Sequence, residues 1–250
     1  MRAAPAVFFI GFIVLFGFGR THYETPVLMY HRIAAPDGSS LTVSPQTFER
    51  QMEFLKVHRY RVVSVENMFD TLRAGRSIRE KTVAVTFDDG YLDNFQNAFP
   101  VLKKMGFPAT IFMITNNIGK EGWLSEEDIK ILDESGITVG SHTVNHAFLP
   151  DLKSEDAEYE LKESKRMLER MLRHPVFTLS FPAGGFTEEV KAMAREAGYK
   201  GAVTTNWGRK AHDPYSLRRV KITEGHGSLT NFWLKVSGFY NLTRKKAGGE

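Results

Sequence analysis

The chain has 250 residues, of which 42% are hydrophobic and 25% are charged, and it contains no cysteine. This composition is that of a globular domain with a substantial core. The lack of cysteine excludes structural disulfides, cysteine-ligated zinc and thiol catalysis. The formal net charge is only +4, and basic and acidic residues are interleaved through residues 155–173. Since nucleic-acid binding needs a one-sided basic stripe, we expect no nucleic-acid partner.

The first 22 residues differ in composition from the rest of the chain. Residues 3–19 are almost all apolar and are flanked by Arg2 and Arg20. A basic residue followed by such a run is typical of a secretory signal, although the run is slightly shorter than the roughly 20 residues of a membrane span. Residues 16–19 offer no convincing cleavage site, so an uncleaved signal anchor is favoured over a cleaved signal peptide. We expect the folded part to be extracytoplasmic, either secreted or anchored in the membrane.

From residue 26 onward, short apolar runs alternate with amphipathic stretches. Three of the helical patterns end at a glycine directly before the next apolar run, and such a glycine supplies the left-handed residue of a helix C-cap. The predicted strands are residues 27–30, 61–65, 81–87, 107–114, 137–140 and 199–204, and the predicted helices are residues 45–58, 67–73, 94–105, 126–135 and 188–197.

This alternation predicts an α/β fold made of parallel strands joined by right-handed crossovers. About seven strands in roughly 220 residues predict a distorted (β/α) barrel, and an open doubly wound sheet is the alternative. No linker or low-complexity segment interrupts the pattern. We therefore expect one catalytic domain over residues 26–245.

Polar residues with metal-binding or acid–base chemistry follow several of the predicted strands. His31 follows the first strand, Asp88 and Asp89 follow the strand at 81–87, and His142 and His146 follow the strand at 137–140. The active site of a parallel α/β fold lies at these carboxyl ends. A His pair or an Asp pair alone is common, and His31 alone could be a purely structural histidine. Together they indicate a site, because two adjacent carboxylates after a buried strand are costly unless a cation compensates them.

Two sequence motifs resemble those of a known family. Residues 86–91, TFDDGY, resemble the TFDDG motif of the NodB-homology polysaccharide deacetylases, carbohydrate esterase family 4, and residues 141–146, SHTVNH, are similar to the second motif of that family. The resemblance extends from about residue 26 to the C-terminus. It implies a distorted (β/α) barrel that removes acetyl groups, with N-acetyl as the expected target. The expected partner is an acetylated glycan such as poly-N-acetylglucosamine or peptidoglycan.

The resemblance also implies roles for individual residues. Asp89, His142 and His146 would hold one divalent metal ion, with Zn²⁺ as the expected identity, and Asp88 would be the general base. Two imidazoles and one carboxylate leave open positions on such an ion, as catalysis requires. In the third motif, residues 180–185, the amide of Ala183 would stabilise the oxyanion. Further candidates on the substrate side are Pro182, Tyr91, Trp123 and Trp207.

The chain departs from the family pattern at several positions. Many members begin the third motif with an arginine that orients the base, and here that position is Ser180. Arg219 could replace this arginine, although an exposed residue at a strand end is an equal alternative. The usual C-terminal Leu-x-x-His motif is not clear around His226. A subgroup acting on poly-β-1,6-N-acetylglucosamine has a Tyr-His after its first strand, which Tyr30-His31 resembles. We expect His31 to be the general acid, with His226 as the alternative.

Two other functions remain open from the sequence alone. Another metal-dependent barrel hydrolase, such as a phosphoesterase, would use a similar fold, but it would usually need more ligands for a second metal ion. A catalytically silent glycan-binding domain would be indicated by loss of the base or a ligand. All four residues of the two motifs are present, and the deacetylase is therefore favoured.

Overall fold

The computed structural model of the protein describes residues 23–205, 213–226 and 228–240, without the side chain of His226. The predicted signal segment, residues 1–22, lies outside these ranges, as do Trp207 and residues 241–245 of the predicted domain. Within the described ranges, no helix is both long enough and apolar enough to cross a membrane.

The elements alternate along the chain much as the sequence predicts. The strands are β1 (Val27–Tyr30), β2 (Arg32–Ile33), β3 (Thr42–Val43), β4 (Arg61–Val63), β5 (Thr82–Phe87), β6 (Thr110–Met113), β7 (Thr138–Ser141), β8 (Thr178–Ser180), β9 (Gly201–Thr204), β10 (Leu217–Arg218) and β11 (Val220–Lys221). The α-helices are α1 (Pro45–Val57), α2 (Val65–Arg73), α3 (Phe99–Met105), α4 (Glu126–Glu134), α5 (Ser154–Leu172), α6 (Glu188–Glu196) and α7 (Leu229–Val236).

Eight parallel strands form a nearly closed barrel in the order β10-β9-β8-β7-β6-β5-β1-β11. Only Arg219 separates β10 from β11, so these are two halves of one chain segment. The first half pairs with β9 and the second with β1, which brings the two ends of the sheet together. The predicted (β/α) barrel is confirmed, and the open doubly wound sheet is wrong. The predicted count of about seven strands becomes eight because the last strand is split at Arg219.

One predicted helix has an irregular start. Residues 94–105 were expected to form a single α-helix, but Asn94–Ala98 form a π-helical turn and α3 follows it. Pro100 lies in the first turn of α3 and has no N–H to donate to the carbonyl of the preceding turn. A wide turn before the proline is the local result.

The helices shield the barrel through their apolar faces. In α1, Phe48, Met52 and Leu55 are fully buried, as their i, i+4, i+7 spacing predicts. The helix begins at Ser44, whose hydroxyl accepts a hydrogen bond from the Thr47 N–H, as an N-cap should. All six residues of β5 are buried, so this strand fixes the position of the residues that follow it.

Candidate active site

Asp88 and Asp89 follow β5 at the mouth of the barrel. Both are buried and both line one cavity of about 450 Å³. Successive side chains of an extended strand would point to opposite faces, but Asp89 has a left-handed φ of 73°. The next residue, Gly90, has a φ of 81°, and a Cβ atom there would collide with Met113. This reversal of the chain allows two adjacent carboxylates to face the same cavity.

His142 is held in one tautomer by the neighbouring strand. Its Nδ1 lies 2.8 Å from the carbonyl oxygen of Ser180, so Nδ1 carries the proton and Nε2 is left as a lone-pair donor. Nε2 lies 3.6 Å from Asp89 Oδ1 and 3.7 Å from Asp88 Oδ2. Burial lowers the pKa of His142 to about 4, against the opposing effect of Asp88. The ring is therefore neutral, which is the state that a metal ligand requires.

His146 completes a set of three converging ligand atoms. Its Nε2 lies 3.8 Å from Asp89 Oδ1, and the ligand atoms of Asp89, His142 and His146 all lie within 4.8 Å of one another. Zinc bonds of about 2.0–2.2 Å place ligand atoms at separations close to these. Burial, and then the charge of Asp88, raise the pKa of Asp89 to about 7. A divalent cation would compensate this pair of buried carboxylates, so the residues fit a metal ion.

Glu160 of α5 holds the loop that carries His146. Thr143 and His146 have left-handed φ values of 66° and 59°, which L-residues rarely adopt without support. The backbone N–H groups of Val144 and Asn145 both donate to Glu160 Oε2, at 2.8 and 2.9 Å. The Asn145 side-chain amide donates to Glu160 Oε1 at 2.7 Å. These three hydrogen bonds fix the turn that presents His146 to Asp89.

Sequence reasoning missed Glu160, although a signal was available. The buried face of α5 contains Ala157, Leu161 and Ser164 together with Glu160. A carboxylate on the apolar face of an amphipathic helix is almost never left without a partner. That position alone could have indicated that Glu160 accepts hydrogen bonds from a neighbouring segment of the fold.

Arg219, which lies between β10 and β11, forms a bidentate ion pair with the Asp88 carboxylate. Its Nη1 and Nη2 donate to Asp88 Oδ1 and Oδ2, both at 2.6 Å, and Nη2 also donates to the Ser180 hydroxyl at 2.9 Å. Arg219 is 4% exposed, so the alternative of an exposed strand-end residue is wrong. Ser180, where many family members have arginine, thus supports an arginine from another strand.

The charge of Arg219 decides the ionisation of Asp88. Burial alone would raise the pKa of this carboxyl group, but the Arg219 charge, the nearby His142 and the Arg219 hydrogen bonds together hold it well below its usual range. Asp88 and Asp89 are neighbours in sequence with opposite pKa shifts. Such a divergence within one pair of carboxylates is common where the two have different chemical roles.

His31 lines the same cavity from the end of β1. Its backbone carbonyl accepts a hydrogen bond of 2.7 Å from the Asn94 side chain, and its Nδ1 is buried without a partner among the described residues. Burial lowers the pKa of His31, while the Asp88 charge opposes this change. The imidazole thus lies in the cavity that Asp88 also lines.

Ala183 lies on the opposite side of the cavity, in the turn after β8. The turn Pro182–Gly184 gives Ala183 a left-handed φ of 52°. The Ala183 side chain is exposed, and no described residue accepts a hydrogen bond from its N–H. The N–H group is thus free to donate to a ligand in the cavity.

Pro182, Tyr91 and Trp123 are not among the residues that line the cavity. Pro182 is buried in the turn, and Tyr91 stacks on Trp123 with ring centroids 5.6 Å apart. Burial, and then the Asp89 charge, raise the pKa of Tyr91 to about 12. The backbone of His226 belongs to the turn Glu224–His226, and its side chain lies outside what the structure describes.

Comparisons with known proteins agree with this geometry. The family model for polysaccharide deacetylase matches residues 75–202. The Bacillus subtilis protein YxkH, whose name places it among the polysaccharide deacetylases, is 38% identical over 204 residues, covering 81% of this chain and 72% of that protein. A poly-β-1,6-N-acetyl-D-glucosamine N-deacetylase of Staphylococcus epidermidis is 29% identical over 197 residues, covering 67% of this chain and 68% of its own.

A solved structure has the same fold. The Streptococcus pyogenes deacetylase PplD, in complex with acetate, matches with a TM-score of 0.77 and 29% identity, covering 84% of this chain and 98% of that one. The family match includes both motifs, with Asp88, Asp89, His142 and His146. It favours the deacetylase over the phosphoesterase and the silent glycan-binding domain that the sequence left open. The chain belongs to the polysaccharide deacetylase family and is a deacetylase that acts on amide bonds.

Proposed function

We propose that this deacetylase removes N-acetyl groups from an extracytoplasmic glycan of the poly-N-acetylglucosamine type, using one divalent metal ion. The observation that carries the proposal is the convergence of three ligand atoms within 4.8 Å of one another, next to a carboxylate that Arg219 keeps ionised. The name of the Staphylococcus epidermidis relative supports the choice of glycan. The Tyr30-His31 pair at the end of β1, which resembles the pair in that subgroup, supports it as well.

The ion would be held by Asp89 Oδ1, His142 Nε2 and His146 Nε2. Neutral imidazoles and a carboxylate suit Zn²⁺ best among the common divalent ions. When bound, such an ion polarises the acetyl carbonyl and makes a water molecule more acidic. The hydrogen bond from His142 Nδ1 to Ser180 keeps the other ring nitrogen directed at this position.

Asp88 would accept the proton of the attacking water. Each carboxylate oxygen has two acceptor sites, so the Arg219 hydrogen bonds leave one site on each oxygen. The low pKa makes Asp88 a weak base that is ionised throughout the physiological pH range. The residue therefore contributes mainly by position and constant charge.

His31 would donate a proton to the departing amine nitrogen. An amide nitrogen is a poor leaving group unless it is protonated, and a nearby imidazole is the usual donor at neutral pH. Ala183 would donate its free N–H to the oxygen of the tetrahedral intermediate. The water oxygen then becomes part of acetate, the C–N bond breaks, and the free amine stays on the glycan. The proton that Asp88 takes from the water would replace the one that His31 gives to the amine, so both residues return to their starting state.

The extracytoplasmic location is part of the proposal. The apolar run of residues 3–19 and its flanking arginines support a signal anchor. The catalytic domain would then act on glycan outside the cytoplasm while the chain stays with the membrane.

A product assay tests the proposed function. The zinc-loaded enzyme is incubated with β-1,6-linked N-acetylglucosamine oligomers, and mass spectrometry follows the loss of acetyl groups. Asp88→Asn is the matched control, and O-acetylated and phosphate-ester substrates are run in parallel. Deacetylation by the parent enzyme alone supports the proposal. Turnover of only the O-acetyl or phosphate substrates would refute it.

A further inference from the structure

Two loops at the amino ends of β5 and of β4, which pairs with β5 outside the eight-strand order, carry an unusual density of unpaired basic side chains. Residues 56–61, KVHRYR, join α1 to β4, and residues 76–81, RSIREK, join α2 to β5. They contain six lysines and arginines, all exposed, and a single acidic residue, Glu80. The Arg61 N–H donates to the Lys81 carbonyl at 2.8 Å, so the two loops form one surface.

These basic side chains contrast with those elsewhere on the barrel. Lys130 and Lys162 each pair with a glutamate four residues earlier in their own helix. In the described ranges, none of the six basic residues of the two loops has a carboxylate within ion-pair distance. The surface therefore has a net positive charge that its own neighbours do not neutralise.

An exposed apolar patch adjoins this basic surface. Trp233 and Leu234 on the outer face of α7, and Phe239 after it, are 50%, 46% and 40% exposed. The helix packs on α1 through Phe232 and Phe54, whose ring centroids lie 5.7 Å apart, and residues 56–61 begin in the last turn of α1. Exposed large apolar side chains next to basic ones are typical of surfaces that lie in a membrane interface.

The start of the described chain meets the same patch. The ring of Tyr23 packs against Phe239, with centroids 5.8 Å apart, and the Glu24 N–H donates to the Gly238 carbonyl. Tyr23 lies four positions after Gly19, the last residue of the apolar run. Fully extended, these four steps of the chain span about 14 Å at most. If the run lies in a bilayer, this end of the barrel must lie at the bilayer surface.

We propose that this end of the barrel, with the six basic side chains and Trp233, Leu234 and Phe239, docks on an anionic lipid surface. The inference rests on the proposed membrane location and adds a second contact besides residues 1–22. Basic side chains near anionic lipid headgroups favour association, and apolar side chains gain by entering the interface. Because the active site lies at the carboxyl ends of the strands, the catalytic cavity then faces away from the membrane, toward extracellular glycan.

Fluorescence of Trp233 in lipid nanodiscs tests this docking. The full-length chain is placed in discs of phosphatidylglycerol or of phosphatidylcholine with brominated acyl chains, and the Trp233 signal is the difference from Trp233→Phe. We expect Trp233 emission in anionic discs to be quenched at least about twofold more than in zwitterionic discs, since the attraction is electrostatic. The variant Arg59→Gln/Arg61→Gln/Arg79→Gln/Lys81→Gln should lose most of this quenching.

The control variant loses four positive charges from α4 and α5 instead. It is Lys130→Gln/Lys162→Gln/Arg166→Gln/Arg170→Gln, and Trp233 should be quenched in it as strongly as in the parent chain. Turnover of a soluble oligomer should be unchanged in both variants. A chain that co-purifies with the discs while Trp233 is not quenched overturns the docking and leaves the anchor intact. Equal quenching in both lipids overturns the role of charge. A chain that does not associate with the discs at all overturns the anchor itself, and the docking with it.

Discussion

Arg219 and Asp88 are joined by two parallel hydrogen bonds of 2.6 Å, in a position where both side chains are almost fully buried. Paired guanidinium and carboxylate groups of this geometry are strong and highly directional. Removing one partner of such a buried pair typically costs about 3–5 kcal/mol, because the other charge is left uncompensated. The pair therefore fixes both the orientation and the ionisation of Asp88.

Arg219→Gln should make the enzyme sensitive to acid. Arg219 lowers the pKa of Asp88, so its loss raises that pKa, and a larger fraction of Asp88 becomes protonated as the pH falls. Activity should then decline at a higher pH than in the parent enzyme. The acidic limb of the kcat/KM profile between pH 4 and 8 measures this shift. Arg219→Lys keeps the positive charge but loses the two parallel hydrogen bonds to Asp88, so it should shift the acidic limb less. If neither variant shifts the acidic limb, Arg219 does not control the ionisation of Asp88.

Asp88→Asn should separate catalysis from metal binding. The three ligand atoms belong to Asp89, His142 and His146, so zinc content should stay near that of the parent. Turnover should fall by about a hundredfold to ten-thousandfold, the usual contribution of a general base. Metal analysis and kcat are measured on the same preparation, with His146→Ala as the variant that loses metal. Loss of zinc in Asp88→Asn would mean that the two aspartates have been assigned the wrong way round.

His31→Ala should lower kcat by orders of magnitude while metal content is unchanged. His31 lines the cavity with Asp88, at the carboxyl end of β1, and general acids of this kind contribute about a hundredfold or more. His226→Ala should have a much milder effect. The two variants are compared on an N-acetyl substrate and on an activated ester, whose leaving group needs no proton. A larger defect in His226→Ala, or equal loss on the ester, would argue against His31 as the acid.

Glu160→Ala should weaken metal binding although Glu160 is no ligand. The residue holds the backbone of Val144 and Asn145, and loss of residues that orient metal ligands typically costs about 10–100-fold in affinity. Competition of zinc with a chromophoric chelator measures this loss. Glu158→Gln, which breaks only the exposed pair with Lys162, is the control. If excess zinc restores the kcat of Glu160→Ala fully, Glu160 acts through the position of His146. If the zinc affinity of Glu160→Ala equals that of the parent enzyme, Glu160 does not have this role.

The sequence allowed good prediction where chemistry and spacing are local. Asp88 and Asp89 belong to one motif of six residues, 86–91, and His142 and His146 belong to another, 141–146. Their strands were visible as buried apolar runs, so their meeting at one end of the barrel could be expected. The Gly-terminated helices were equally local, as the left-handed Gly106 after α3 illustrates.

Long-range contacts were much harder to predict. The partner of Asp88 is 131 residues away in Arg219, and no local pattern distinguishes this arginine from its neighbour Arg218. The position of Glu160 on the buried face of α5 indicates a partner, but two of its three hydrogen bonds come from backbone N–H groups, and these carry no signature in the sequence that would identify the loop of His146. Tyr91 and Trp123 stack on each other outside the cavity lining, and their contact with sugar stays a prediction.

The break in the last strand links catalysis to the completion of the fold. Arg219 lies between the half-strand that pairs with β9 and the half-strand that pairs with β1. A ribosome delivers this segment only after every other strand of the barrel has been made. A nascent or truncated chain that ends before residue 219 would keep the three proposed metal ligands but would lack the counter-charge of Asp88. The counter-charge of Asp88 thus lies in the same segment that closes the barrel wall.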